Sequence, residues 1–425
     1  MDDASIDLQR AAREAAYSMP LEEINPGDPE LFRTDTMWAY FERLRKEDPV
    51  HWAVSSYDDV GGYWSVTKYN DIMAVDTNHE VFSSEPTIVL PDPADDFRLP
   101  MFIAMDQPKH DVQRKTVQPI VAPNHLAYLE PIIRERAGKI LDDLPIGEEI
   151  DWVDKVSIEL TTMTLATLFD FPWEDRRKLT FWSDVATSAP ESGILGTTDR
   201  EEHEQRRRQT LFECVDYFMR LWNERVNAPP RPDLISMLAH GESTRNMDRM
   251  EYLGNLILLI VGGNDTTRNT ISGSILALHQ NPDQDRLLRS DPSLIPNMVS
   301  ETIRWQTPLA YMRRTAKQDF ELGGKTIKAG DKVAMWYVSG NRDEEVIERP
   351  NDYWIQRPNV RRHLSFGFGI HRCVGNRLAE LQLKIIWEEI LARFPRIEVV
   401  GPPKRVYSSF VKGYEHLPVV IPTRN

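Results

Sequence analysis

The chain has 425 residues, 41% hydrophobic and 28% charged, the make-up of a globular protein with a large core. A formal net charge of −15 argues against nucleic acid or an anionic membrane as the main partner. No run approaches the roughly 18 apolar residues that span a bilayer, and only two cysteines occur, Cys214 and Cys373, which suits a reducing cytoplasm and no integral membrane association.

Residues 1–20 carry Asp2, Asp3, Asp7 and Glu14 without an uninterrupted apolar segment, so they read as an amphipathic surface helix rather than a leader. Apolar residues three and four apart predict helices over 36–47, 111–118, 126–142, 152–168, 175–183, 201–227, 249–280, 294–305 and 377–393. Several stop at proline, as at Asn281-Pro282 and Thr307-Pro308. Short strands are expected at 50–54 and 63–66 around Gly61-Gly62, and at 320–322 and 326–327 around Gly323-Gly324. Others are expected at 332–337, 396–400, 408–411 and 419–421. Residues 83–100, with four prolines, and 187–199, rich in Gly, Ser and Thr, read as mobile loops. No repeat or Gly/Ser linker divides the chain. The order predicts a mainly α protein with small β-sheets (α+β), an arm over 1–35 and one large domain over 36–425.

Cys214 lies in the helical pattern Leu211-Phe212-Glu213-Cys214-Val215 and reads as packing. Cys373 is different. It sits in the glycine-punctuated turn Phe366-Gly367-Phe368-Gly369-Ile370-His371-Arg372-Cys373-Val374-Gly375, just before a helix. Backbone N–H groups and the helix dipole there stabilise negative sulfur, and the glycines let the backbone approach a flat partner. Glu301 and Arg304 are three apart on one helix face. Gly262-Gly263 lies inside the longest predicted helix, at a cost of about 1 kcal/mol per glycine. Such a pair can open a local bulge, and Asp265-Thr266 beside it supplies an acid and an alcohol able to relay protons. His110 and Arg114 fall four apart on one face. Between 357 and 384 stand Arg357, Arg361, Arg362, Arg372, Arg377 and Lys384 against Glu380 alone, a local basic patch in an acidic chain.

The cysteine turn resembles the haem-binding loop of the cytochrome P-450 superfamily. Glu301-Thr302-Ile303-Arg304 and Gly262-Gly263-Asn264-Asp265-Thr266-Thr267 resemble its E-x-x-R pair and its oxygen-activation motif. The matches follow the family's order over about 36–421 and imply the cytochrome P-450 fold. The resemblance implies haem b with Cys373 as axial iron ligand, held without covalent attachment since there is no C-x-x-C-H. It implies Phe366 and Gly367 in the haem loop, and His110, Arg114, Arg314 and His371 as propionate partners. Asp265 and Thr266 would deliver protons for R–H + O₂ + 2e⁻ + 2H⁺ → R–OH + H₂O. Where the family places the third partner of the Glu301–Arg304 pair, this chain has Pro350-Asn351-Asp352-Tyr353-Trp354, with Asp352 in place of a base. Whether Arg349 or another base substitutes stays open.

Three runs, at 101–106, 263–269 and 363–369, resemble the soluble bacterial terminal alkane and fatty-acid hydroxylases. That branch implies a small apolar substrate, and an eight-carbon chain would gain about 6 kcal/mol from burial at ~0.8 kcal/mol per CH₂. Leu258, Val261, Gly262, Leu309, Ala310, Met312, Phe410 and Val411 are the lining residues it implies, with the two loops as entrance and lid. No flavin or nucleotide fingerprint occurs, so electrons originating from NAD(P)H would arrive through a ferredoxin and its reductase, steered by the basic patch. A terpene or steroid hydroxylase is the alternative within the superfamily. A non-catalytic haem sensor or electron carrier is the alternative outside enzymes.

Overall fold

The computed structural model of the protein describes residues 3–55, 57 and 60–425; Met1 and Asp2 of the expected arm lie outside them. Helices make the body of the molecule and small sheets edge it. Asp3–Ser18 is helical and packs on Met37–Glu47: Arg13 binds Glu42 at 2.8 Å, and Arg43 donates to the carbonyls of Ala16 and Met19.

The centre is the helix Arg249–Gln280. Asp248 caps it by accepting the N–H groups of Met250 and Glu251, and the helix is buried on nearly every side, as a core helix must be apolar all round. Around it pack Glu159–Phe169, Arg177–Thr187, Ile295–Gln306 and Asn376–Arg393. It runs as unbroken α-helix through Gly262-Gly263, where a bulge was expected. The glycines serve space instead. A Cβ on Gly263 would stand 2.8 Å from Leu165 Cδ1, whereas one on Gly262 would meet nothing within 4 Å. The π-helical turn of the fold lies elsewhere, at Val153–Ile158, ahead of Glu159–Phe169.

The main sheet has Val50–Val54 at one edge, then Gly62–Val66, Lys332–Met335, Met312–Ala316 and the short Phe82–Ser83. Its pairs are antiparallel except Gly62–Val66 with Lys332–Met335, whose register sets Trp64 opposite Val333. Strand alternation sends Arg313 and Arg314 to opposite sides of this sheet. A second sheet joins Glu149–Asp151, Pro418–Val420 and Glu398–Val399.

Some expectations need correction. Residues 408–411 form no strand: Ser408 Oγ accepts the N–H groups of Phe410 and Val411, both at 3.1 Å, and turns the chain, leaving one bridge between Leu309 and Val411. The strand after Asp331 ends at Met335 and gives way to the helix Tyr337–Gly340. The helix expected over 175–183 begins at Arg177 and continues to Thr187. Tyr69–Asp76 is helical where no helix was expected; it matters below. No helix among the described residues is long and apolar enough to cross a membrane.

Candidate active site

The cysteine turn is closed by its own backbone. Cys373 N–H donates to the Phe366 carbonyl at 2.8 Å, and Gly367 N–H to that of Leu364 at 2.7 Å. Gly369 has φ +67°, and a Cβ there would lie 2.6 Å from the Asp76 carbonyl, so only glycine fits. Asp76 then organises this corner. Its buried carboxylate accepts from Phe368 N–H (2.8 Å), Tyr337 O–H (2.9 Å) and Arg314 (2.9 Å). Nothing in the sequence near Asp76 marks it for this task. Burial pushes the Cys373 thiol up, while the N–H groups of Gly375 and Asn376 and the charges of Arg114 and Arg372 pull the other way. The helix-start effect expected from the sequence is present but weaker than desolvation.

Beneath the turn lies an ion-pair network. Glu301 accepts two bonds from Arg304, both 2.8 Å, and a 2.9 Å bond from Arg357, with all three side chains at most 4% exposed. The remaining donors reach the carbonyls of Asn341, Pro350, Arg349 and Asp352, and Trp354 N–H completes Glu301. The open third place is therefore taken by Arg357, while Arg349 is exposed and pairs with Asp352. This also corrects the basic patch: Arg357 faces inward, leaving Arg361, Arg362, Arg372 and Arg377 exposed and Lys384 half-buried.

Above the cysteine opens a cavity of about 1060 Å³, at the top of the ~300–1,000 Å³ range of ligand pockets. Cys373, Phe366, Gly367, His371, Arg114, Arg314 and Thr266 reach it, as do Leu258, Val261, Gly262, Leu309, Met312 and Phe410. Ala310 and Val411 do not. Ala310 is fully buried in the cluster around Trp336, and Val411 is 2% exposed at its bridge to Leu309. Walls absent from the sequence reading come from Phe97, Leu165, Thr187 and Tyr407. The two expected loops do contribute, through 85–105 and 186–190.

The first of these loops is held in two different ways. Arg313 on the buried side of the sheet donates to the carbonyl of Leu90 and to Asp92, and Lys332 pairs with Asp92 as well. Beyond Pro93, Asp96 pairs with Arg208 on the helix Arg200–Val226, and Phe97 packs edge-on against Phe212 of the same helix.

Asp265 lies outside the cavity wall. It is fully buried behind the long helix, accepting from Ser183 at 2.8 Å and paired with Arg268 at 3.1 Å; Arg268 also pairs with Asp184. Burial raises its carboxyl above the usual range against the pull of Arg268. His110 stops just short of the cavity, its ring 4.2 Å from that of His371. His110 Nε2 and His371 Nδ1 are buried with no hydrogen-bond partner among the described residues, and burial lowers both imidazoles' proton affinity.

Residues 289–411 match the family model for cytochrome P450. A linalool 8-monooxygenase from Pseudomonas putida is 35% identical over 93% of this chain and 98% of its own length. The chain belongs to the cytochrome P450 family. Solved structures agree with the fold. CYP153D17 from Sphingomonas sp. PAMC 26605 is 51% identical, and a cytochrome P450-153 from Novosphingobium aromaticivorans 47%. Each has a TM-score of 0.85 and covers 93% of this chain and 98% of its own. The protein is thus a P450 monooxygenase, an oxidoreductase of the class that uses thiolate-ligated haem iron, O₂ and reductant electrons.

The residues present fit that cofactor. The two orphaned imidazole nitrogens lie at one edge with Arg114 and Arg314, a set suited to carboxylates. Gly375, on the wall from the cysteine turn, presents bare backbone with nothing within 4 Å of a built Cβ, as a flat macrocycle requires.

Proposed function

We propose that this P450 hydroxylates the terminal carbon of medium-chain n-alkanes or fatty acids. The observation that carries the reading is the apolar wall of Leu258, Val261, Leu309, Met312 and Phe410, which leads to the backbone of Gly262 and to Cys373. A linear chain offers little to hydrogen-bond, so shape and burial must position it; each buried CH₂ contributes ~0.8 kcal/mol. The resemblance of the runs at 101–106, 263–269 and 363–369 to terminal hydroxylases points the same way.

In this reading Cys373 would supply the thiolate that holds the haem iron, in a turn shaped by Phe366 and Gly367. His110, Arg114, Arg314 and His371 hold the propionates. Bound haem iron, with O₂ and two electrons, supplies the oxidant that converts C–H to C–O–H. Thr266 places a hydroxyl at the cavity wall, and Asp265, whose carboxyl burial raises above the usual range against the pull of Arg268, is the acid that supplies the proton. The apolar lining excludes water and orients the chain end-on. Electrons from NAD(P)H come through a ferredoxin and its reductase, which dock where Arg361, Arg372 and Arg377 rim the cysteine side. The absence of a disulfide between Cys214 and Cys373 suits the cytoplasm.

Reconstitution with a ferredoxin, its reductase and NADH, followed by product analysis on octane, dodecanoic acid, linalool and a steroid, tests this. The expected products are 1-octanol and the ω-hydroxy acid; oxygen placed only on ring or inner carbons would refute it. The linalool-hydroxylating relative favours a terpene hydroxylase as the second reading.

A further inference from the structure

The position of Asp265 raises the question of how its proton reaches the cavity. Three groups around it come from the end of one helix, Arg177–Thr187: Ser183 bonds its Oδ1, Asp184 pairs with its partner Arg268, and Thr187 Oγ1, which donates to the Ser183 carbonyl at 3.1 Å, also stands 3.5 Å from Asp265 Oδ2. From its own helix and the next, Asn264 donates to Oδ1 at 3.3 Å and is itself held by Thr161 at 2.9 Å. Thr266, next in sequence, is turned the other way and donates to the Gly262 carbonyl at 3.0 Å. Thr187 alone of these contacts also lines the cavity, beside Ala186, Ser188 and Ala189.

We propose that Thr187 is the hydroxyl through which Asp265 passes its proton to the cavity, so that the route is complete only while the Arg177–Thr187 helix is seated on the long helix. The inference rests on the reading of Asp265 as proton donor given above. The step balances without electrons changing hands. Thr187 Oγ1 takes the proton from Asp265 Oδ2 as its own O–H proton leaves for an acceptor in the cavity. Asp265 remains as a carboxylate against Arg268. A proton from solvent then restores Asp265; Asp184, 29% exposed, is the outermost member of the cluster. Ala186 at the helix end and Ser188 and Ala189 in the extended segment after it also bound the cavity, so whatever fills the cavity bears directly on the relay. Substrate capture and proton supply meet at one helix end.

The test compares Thr187→Val, which keeps the shape and removes the hydroxyl, with Thr187→Ser, which restores it. In the resting holoenzyme, infrared difference spectra in H₂O and D₂O locate the Asp265 carboxyl by its loss in Asp265→Asn. That band should shift in Thr187→Val and return in Thr187→Ser. With octane and the reconstituted electron supply, Thr187→Val should slow product formation by about tenfold or more and raise the solvent isotope effect, and Thr187→Ser should reverse both. An unmoved carboxyl band together with an unmoved isotope effect would overturn the proposal. Failure of the wild type to make terminal alcohol would instead overturn the proposed reaction, and the infrared comparison would still decide the relay.

Discussion

The floor of the site and its walls are built by opposite means. On the floor the buried carboxylates are fully engaged: Glu301 serves Arg304, Arg357 and Trp354, while Asp76 serves Arg314, Tyr337 and Phe368. The walls are drawn from distant stretches, around 85–105, 165–168, 186–208, 257–270, 308–312 and 407–410, and are mostly apolar. A floor tied by such multiply bonded carboxylates admits few geometries. An apolar wall of many segments admits several of nearly equal energy. The cofactor's place is therefore stiff, and the substrate's place is adjustable.

The sharpest way to break the floor is Cys373→Ala. It should abolish turnover and the haem-thiolate Soret band of the reduced CO complex; retention of either in difference spectroscopy would remove Cys373 as ligand. Next is Arg357→Met, which leaves Glu301 buried with one cation fewer. The cost of breaking such a pair is about 3–5 kcal/mol, read as a lowered midpoint of unfolding and loss of haem on heating. On the wall side, Thr266→Ala should keep haem but divert electrons to peroxide, measured as NADH consumed against product and peroxide formed. Gly262→Leu sharpens the comparison, because its side chain enters open cavity rather than packed neighbours. Stability should hold while preference moves to shorter chains in a competition between octane and dodecane. The smallest effect belongs to the surface. Arg361→Ala with Arg377→Ala should slow reduction by the ferredoxin modestly at low salt and not at high salt, as stopped-flow reduction would show.

What was legible in the sequence follows the same division. The cysteine turn and the Glu301/Arg304 pair could be read because their chemistry fixes residue types within a few positions of one another. Arg357 could not be assigned, since charge alone does not say which way an arginine points; its neighbours at 361 and 362 are exposed. Asp76 meets Phe368 across 292 residues of chain, a pairing no local pattern encodes. Asp265 was expected at the cavity because the motif places it beside Thr266. One residue along a helix is about 100° of rotation, which points the two side chains in different directions. The lining shows the same limit. Leu309 and Ala310 are adjacent, yet one faces the cavity and the other the Trp336 cluster.

The two tethers of the loop over 83–100 have a mechanical consequence. Its first half is tied by Arg313, itself 3% exposed, whereas the second is held by the packing of Phe97 on Phe212 and by a pair in which Asp96 is 74% exposed and solvent competes freely. The ion pair on the Arg208 side is therefore the weaker tether of the two. In the proposed reading of this loop as entrance, parting along that one edge would pass a thin rod more readily than a bulky ring system.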